Sequence, residues 1–397
     1  MSLLNTRTAS SRFRITVFAL AGLFAALAVL LPLATAEAKK KKSPKITVMT
    51  RNLYLGADLG PAIEAESFCE AIDAGGEILN DVDDSNFPAR AKLLAAEIAD
   101  AKPDLVGLQE VALWRFQEDA DFTGSEATTV RYDFLKSLME ELKNEGARYE
   151  VAVVQDEFDQ ELPADRDGSD ATQDASLPIC GTDEDGRLTM RDAILVRKGS
   201  KVKVSKPAMG QFENMYEVNL AGAVPIDVER GWVSVEAKIV KSKKTRGAKV
   251  RVVNTHLEAF GDPAIREAQA RELFADGGPL RTKGQLILLG DVNSGGPKDR
   301  VGTGFTTPGD EGAYNALTKD FGLTKYGARQ TCCFPDVFEP VIGEYRLDHS
   351  VDHVFAKPKI KELDSFLTGD DPSVNITAAK LVASDHAGVV SKFKLKK

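Results

Sequence analysis

The run Leu286-Ile287-Leu288-Leu289-Gly290-Asp291-Val292-Asn293 decides how the rest of the chain is read. Its four consecutive apolar residues leave no polar face, so they describe a strand covered on both sides. Gly290 lets the backbone turn sharply as that strand ends, and Asp291 and Asn293 can then face one cleft. The same arrangement recurs outward from this point. Arg251–Thr255 is a strand ending on His256, Leu105–Leu108 runs into Gln109-Glu110, and Ile46–Thr50 leads to Asn52. Polar residues also mark Val351-Asp352-His353-Val354-Phe355 and Ser384-Asp385-His386. Further strands are expected at Tyr149–Val154, at Ala193–Val196 and over the alternating stretch Trp232–Ile239. Helices are expected over 61–82, over Ala89–Ala101 with Pro103 just beyond, over Tyr132–Leu142 closed by Gly146, and over 263–275. Strands and helices alternate to the C-terminus with no linker and no repeat. That economy favours one large α/β catalytic domain over 39–397.

Composition narrows the function. The chain has 397 residues, 43% hydrophobic and 28% charged, which excludes collagenous, wholly disordered and polytopic membrane classes. Its formal charge is −9, so a protein that coats nucleic acid through bulk positive charge is disfavoured. A phosphate-handling site remains open to an acidic chain if a bound cation inverts the local field.

Arg7, Arg12 and Arg14 precede an apolar run, Ile15–Leu31, and small residues follow at Ala34, Ala36 and Ala38. Basic, apolar, then small is the order of a secretory signal peptide, assigned to 1–38. The chain is therefore expected to be secreted or periplasmic, or membrane-anchored if the segment is not cleaved. Lys39–Lys45 would remain as a solvated basic leader. The four cysteines, Cys69, Cys180, Cys332 and Cys333, suit disulfides in an exported chain. Strain between neighbours argues that Cys332 and Cys333 each reach out to Cys69 or Cys180. Between Gln155 and Asp185 lie eleven acidic residues and one basic one, read as a solvated surface insertion. Asp165-Arg166-Asp167-Gly168 begins like a calcium loop, but Ser176 stands where the pattern needs Glu.

Carboxylate and amide oxygens at strand ends, aimed at one opening, suit a hard divalent cation. All four histidines, His256, His349, His353 and His386, lie at these polar strand ends, a concentration that favours chemistry over scattered surface placement.

Six segments in this order resemble the endonuclease/exonuclease/phosphatase (DNase I-like) superfamily: Thr50–Leu53, Asp104–Val111, Val253–Leu257, Leu289–Asn293, Val351–Phe355 and Ser384–His386. The resemblance covers about 46–395. It implies a four-layer α/β/β/α sandwich, α/β (α+β) in class, with the site at one end of two packed sheets. It further implies that Glu110, with Asn52 and Asp385, holds Mg²⁺ (Mn²⁺ or Ca²⁺ being alternatives). His386 would act as general base or phosphate-oxygen donor, oriented by Asp352. Asp291 would position the attacking water, and Asn293 and His256 would donate to phosphate oxygens.

Arg346-Leu347-Asp348-His349 offers a second orienting acid. Asp348 and Asp352 share a strand face, and the apolar Val354-Phe355 favours Asp352. Arg191, just before the Ala193–Val196 strand, is expected to contact substrate phosphate. Insertions near 61–88 and 155–187 are expected to shape the substrate entrance. The resulting expectation is an exported, metal-dependent phosphodiesterase, nuclease-like first, with a phosphodiester of nucleic acid as substrate. A sphingomyelinase or phospholipase C-like enzyme acting on a phospholipid head group follows, with Phe212-x-x-Met215-Tyr216 as its candidate for entering lipid. An inositol-phosphate phosphatase would want a basic cluster that the sequence lacks. A non-catalytic binding protein would have lost a site residue, and every position is filled. A monomer without an obligate protein partner is expected.

Overall fold

The computed structural model describes residues 41–118, 126–168, 180–222, 224–243, 245–296, 310–327, 330–334 and 347–396. The expected signal segment, Arg346 and Ser176 lie outside them. The strands are β1 (Lys45–Asn52), β2 (Leu105–Gln109), β3 (Leu113–Glu118), β4 (Thr129–Asp133), β5 (Tyr149–Ala164) and β6 (Glu184–Arg197). Next come β7 (Val202–Gln211), β8 (Tyr216–Leu220), β9 (Val224–Val228), β10 (Gly231–Ile239), β11 (Ala248–His256) and β12 (Leu286–Asp291). The last are β13 (Thr324–Tyr326), β14 (Asp352–Lys357), β15 (Lys361–Thr368) and β16 (Gly388–Lys394). The helices are α1 (Gly60–Ile63), α2 (Phe68–Asp84), α3 (Phe87–Ala101), α4 (Phe134–Asn144), α5 (Pro263–Glu272) and α6 (Gly312–Asn315).

Two sheets result. One runs β15-β16-β1-β2-β6-β3-β4, with β5 also paired to β6, and the other runs β13-β14-β12-β11-β10-β7. Side-chain alternation explains why they stack. Ile287 and Leu289 of β12, Val354 and Ala356 of β14, and Leu105 of β2 enter the core between the sheets. Leu286, Leu288 and Phe355 point the other way, onto α5 and α6, while Val106 and Leu108 of β2 face α3 and α4. Each such burial contributes roughly 1.5–3 kcal/mol, and no strand here could expose either face. Helices therefore cover both outer faces, giving the four-layer α/β/β/α sandwich that the resemblance implies. Gly107 marks where the layers approach closely: a Cβ there would sit 2.2 Å from Asn254 Oδ1 on the facing sheet.

Local signals place the helices. Asn86 caps α3, Asp133 caps α4, and Asp262 caps α5 with Pro263 as its first residue. Lys102 closes α3 in the left-handed region just before Pro103.

Several expectations are corrected. The acidic stretch 155–187 is not an insertion loop along its described length: β5 and β6 pair from Tyr149↔Arg197 to Ala164↔Glu184. Two of its acids are paired on the hairpin and from beyond it, Asp159 by Arg115 and Arg187, and Glu184 by Arg131 as well as Arg166. Lys45, assigned to a solvated leader, begins β1. Cys69 pairs with Cys180, so Cys332 and Cys333 do not reach them and their sulfurs lie against each other. Phe212 is buried in the core under α5, so it is no lipid-entering aromatic. Asp165, Asp167 and Asp183 do gather within 4.8 Å, drawing on both strands of the hairpin rather than on one continuous loop.

Candidate active site

The polar ends of five strands meet at one rim because of register. β1 and β2 run parallel with Asn52 opposite Gln109. β11 and β12 run parallel with His256 opposite Asp291, and antiparallel β14 begins with Asp352 opposite Asp291. β16 pairs antiparallel with β1, so Ser384-Asp385-His386, just before it, returns to the same rim. Backbone conformation is unusual there: Glu110 and Asn293 have φ of 54° and 46°, left-handed values that cost a non-glycine residue and collect at functional sites.

Asp291 is the hub. Its Oδ2 accepts from Asn52 Nδ2 at 3.1 Å and lies 3.7 Å from both His256 Nε2 and His386 Nδ1. Its Oδ1 accepts from the Asn293 backbone N–H at 2.9 Å. Burial, with Asp352 beside it, pushes its carboxyl up to about 7. His386 Nδ1 lies 2.8 Å from Asp352 Oδ2, whereas Asp348 pairs with His349. The periodicity of the strand left two orienting acids; the fold leaves one. Burial opposes charge on His386, but Asp352, Asp385 and Asp291 outweigh it and raise its pKa well above the ordinary histidine value. Its Nε2 is left facing Asp385 Oδ1 at 3.9 Å and Cys332 Sγ at 3.5 Å.

His256 is contacted by a residue the sequence reading missed. Arg230 Nη1 sits 3.1 Å from His256 Nδ1 and Arg230 Nε 3.5 Å from Glu258. A guanidinium only donates, so His256 Nδ1 accepts from Arg230, while Nε2 lies 3.1 Å from the Asn293 Nδ2 donor and 3.7 Å from Asp291 Oδ2. Burial and the Arg230 charge lower its pKa well below the ordinary value, keeping it neutral. A single arginine at the turn into β10 carries no periodic or motif signal, so nothing in the sequence pointed to it.

Three expected residues stand elsewhere. Arg191 is buried; it donates to the carbonyls of Val111 and Ala112 and pairs with Asp133 at 2.7 Å, so it secures the segment after Glu110 and is not free to meet phosphate. His353 Nε2 meets the Ser294 carbonyl at 2.8 Å and its ring packs near Tyr314 and Phe355. His349 stays with Asp348 and Cys333. Two of the four histidines, not all four, reach the hub.

The donor set suits a hard cation. Glu110 Oε1 accepts from Asn52 Nδ2 at 2.8 Å and its Oε2 from the Leu55 N–H at 2.7 Å. Asn52 Oδ1 accepts from the Tyr54 N–H at 2.8 Å, so Asn52 enters as a donor bridging Glu110 and Asp291. Burial and neighbouring Glu110 and Asp352 push Asp385 up to about 6. Asp352 Oδ1 is buried without a hydrogen-bond partner. Buried carboxylates that repel one another and an orphaned oxygen are relieved by a divalent cation with oxygen ligands.

No family model and no curated protein matches the chain. Solved structures of endonuclease/exonuclease/phosphatase proteins are similar to it. One from Bacteroides vulgatus is 15% identical, with 89% of this chain and 100% of that chain covered, at a TM-score of 0.48. The human Nocturnin catalytic domain is 15% identical over 90% and 97%, at 0.45. Truncated Caenorhabditis elegans TDP2 is 15% identical over 88% and 98%, at 0.43. At such identities and scores these likenesses assign no activity.

Proposed function

We propose that the chain is an exported, divalent-metal-dependent phosphodiesterase. One observation carries the reading: a buried Asp352–His386 pair at 2.8 Å stands 3.7 Å from an Asp291 that His256, Asn52 and Asn293 also surround. Glu110 and Asp385 would hold Mg²⁺, with Mn²⁺ or Ca²⁺ as alternatives, and Asn52 would steady Glu110. Such a cation supplies neutralisation of charge on a non-bridging phosphate oxygen and on the leaving oxygen.

The remaining chemistry belongs to side chains. Asp291 positions the attacking water. His386, held by Asp352 and raised in pKa, presents a proton at Nε2 for an oxygen of the phosphate or leaving group. His256 and Asn293 would donate to oxygens that gain charge as phosphorus becomes five-coordinate. The basic-apolar-small pattern of 1–38 supports export.

The sequence expectation is nuclease-like, with a phospholipid head group as second choice. Purified protein with Mg²⁺, Mn²⁺ or Ca²⁺ should be offered duplex DNA, RNA, sphingomyelin and inositol phosphates, beside His386→Ala. Turnover of at least one diester that is lost in His386→Ala is the expected result. Equal turnover by the variant, or action on monoesters alone, overturns the reading.

A further inference from the structure

A cavity of about 110 Å³ lies against the candidate site on the side of the inserted elements. Its walls come from α1, α2, the β5–β6 hairpin and the β8–β9 hairpin, with Leu79, Leu162, Leu188, Leu220 and Ile226 among its lining residues. Among the described lining side chains only Gln160, Arg230 and the indole of Trp114 carry polar atoms. The Trp114 N–H is already given to the Leu55 carbonyl at 2.9 Å. Arg230 turns its guanidinium to His256 and Glu258. Two wall residues, Leu59 and Phe260, sit on segments that leave the sheets after Asn52 and His256, and Trp114 lies in β3, which follows Glu110.

We infer that this cavity receives an alkyl chain of the phosphodiester on which the neighbouring site acts. The inference rests on the phosphodiesterase reading and narrows its substrate class. An apolar hole of this order stays dry and takes apolar guests; one of about 150 Å³ holds benzene. A nucleobase would bring ring nitrogens and carbonyls that find few partners on this lining, and burying them unpaired is unfavourable. A methylene chain asks for none. Arg230 places the site and the cavity side by side: its guanidinium contacts His256 and its side chain forms part of the apolar chamber's wall. The resulting substrate joins a charged phosphoryl group to an aliphatic chain, as an amphiphile does, and the lipid alternative gains over nucleic acid.

The test uses the full His386→Ala chain, titrated with n-alkanols from ethanol to octanol while tryptophan emission is followed. Dissociation constants should tighten about fourfold per added methylene until the cavity is filled. Ala62→Phe, which places a ring in the cavity from α1, should flatten that dependence. The series on the unfilled cavity stands whether or not the Ala62→Phe chain folds. In the wild-type chain, KM for alkyl methyl phosphodiesters should fall with chain length in parallel. A flat alkanol series overturns the inference, as does tighter binding of adenosine than of hexanol. Hydrolysis of diesters with no dependence on chain length overturns the cavity's role and leaves the phosphodiesterase reading intact. Alkanol binding with no diester hydrolysis keeps the alkyl site and overturns the function proposed for its neighbour.

Discussion

At the scale of single residues, several members of the rim cluster were legible as polar side chains at the ends of apolar strands, although His349 and His353, read the same way, stand apart. Asp291, Asn293, His256 and His386 were found that way. Where the sequence failed, the reason was direction. Arg191 and Asp192 are adjacent, and on a strand they face opposite ways; nothing in the sequence said which side was the cleft. Arg191 turned out to hold the Val111 and Ala112 carbonyls and Asp133. Arg191→Ala is therefore expected to lower stability on the order of 1.5–3 kcal/mol and to leave KM for any diester unchanged, measured by urea denaturation beside steady-state kinetics. A large rise in KM at unchanged stability would restore the phosphate-contact role. Arg230 and its neighbour Glu157 were invisible because their partners come from other strands. Glu157 is buried, and burial pushes its carboxyl from 4.5 up to about 8 against the pull of Arg230. The folded chain therefore keeps a proton that the unfolded chain releases. The sign follows: Glu157 costs no stability below about 4.5, and its cost grows as pH rises to about 8. Glu157→Gln should be the more stable protein at pH 8, with the difference shrinking toward pH 4.5. Thermal melts across that range check it, and a gap that widens at acid pH would refute it.

At the scale of elements, strands with two buried faces announced themselves and strands with mixed faces did not. β12 and β11 read directly from their apolar runs. β5 and β6 read only in part, at Tyr149–Val154 and Ala193–Val196, because the eleven acids between look like a loop until Arg115, Arg131 and Arg187 pair with Asp159 and Glu184. The hairpin so formed meets α2, and Cys69–Cys180 joins them across a separation of 111 residues. That linkage should stabilise by restricting the unfolded chain. Replacing both cysteines by serine is expected to cost roughly 2–5 kcal/mol and to leave the pH profile of hydrolysis in place, because the rim at β11, β12 and β14 is built without the disulfide. Unchanged stability would mean that the inserted helix is held by packing alone. The neighbouring sulfurs of Cys332 and Cys333 were misjudged for a simple reason: the sequence could not say that Cys69 and Cys180 meet each other first.

At the scale of the whole molecule, two sheets with helices on both outer faces follow from apolar runs too continuous to expose. The rim follows from register, which no single segment displays. Acidity is concentrated there too: besides burial, Asp352 and Glu110 raise the proton affinity of Asp291 and of Asp385. A net charge of −9 thus coexists with phosphate chemistry, provided a cation sits among these acids. Five lysines, Lys238, Lys241, Lys249, Lys283 and Lys396, line a separate cleft where β10 ends and β11 begins, the far end of β11 from His256.

The most direct measurement is turnover of a soluble chromogenic phosphodiester before chelation, after chelation and after Mg²⁺ is restored, in the wild type and in His386→Ala. Wild-type activity should vanish with chelator and return with Mg²⁺, while His386→Ala should be lower by on the order of 10²–10⁴ wherever Mg²⁺ is present. Full activity in chelator, or an alanine variant that matches the wild type, would contradict the assignment of this rim as a metal-assisted phosphodiesterase site.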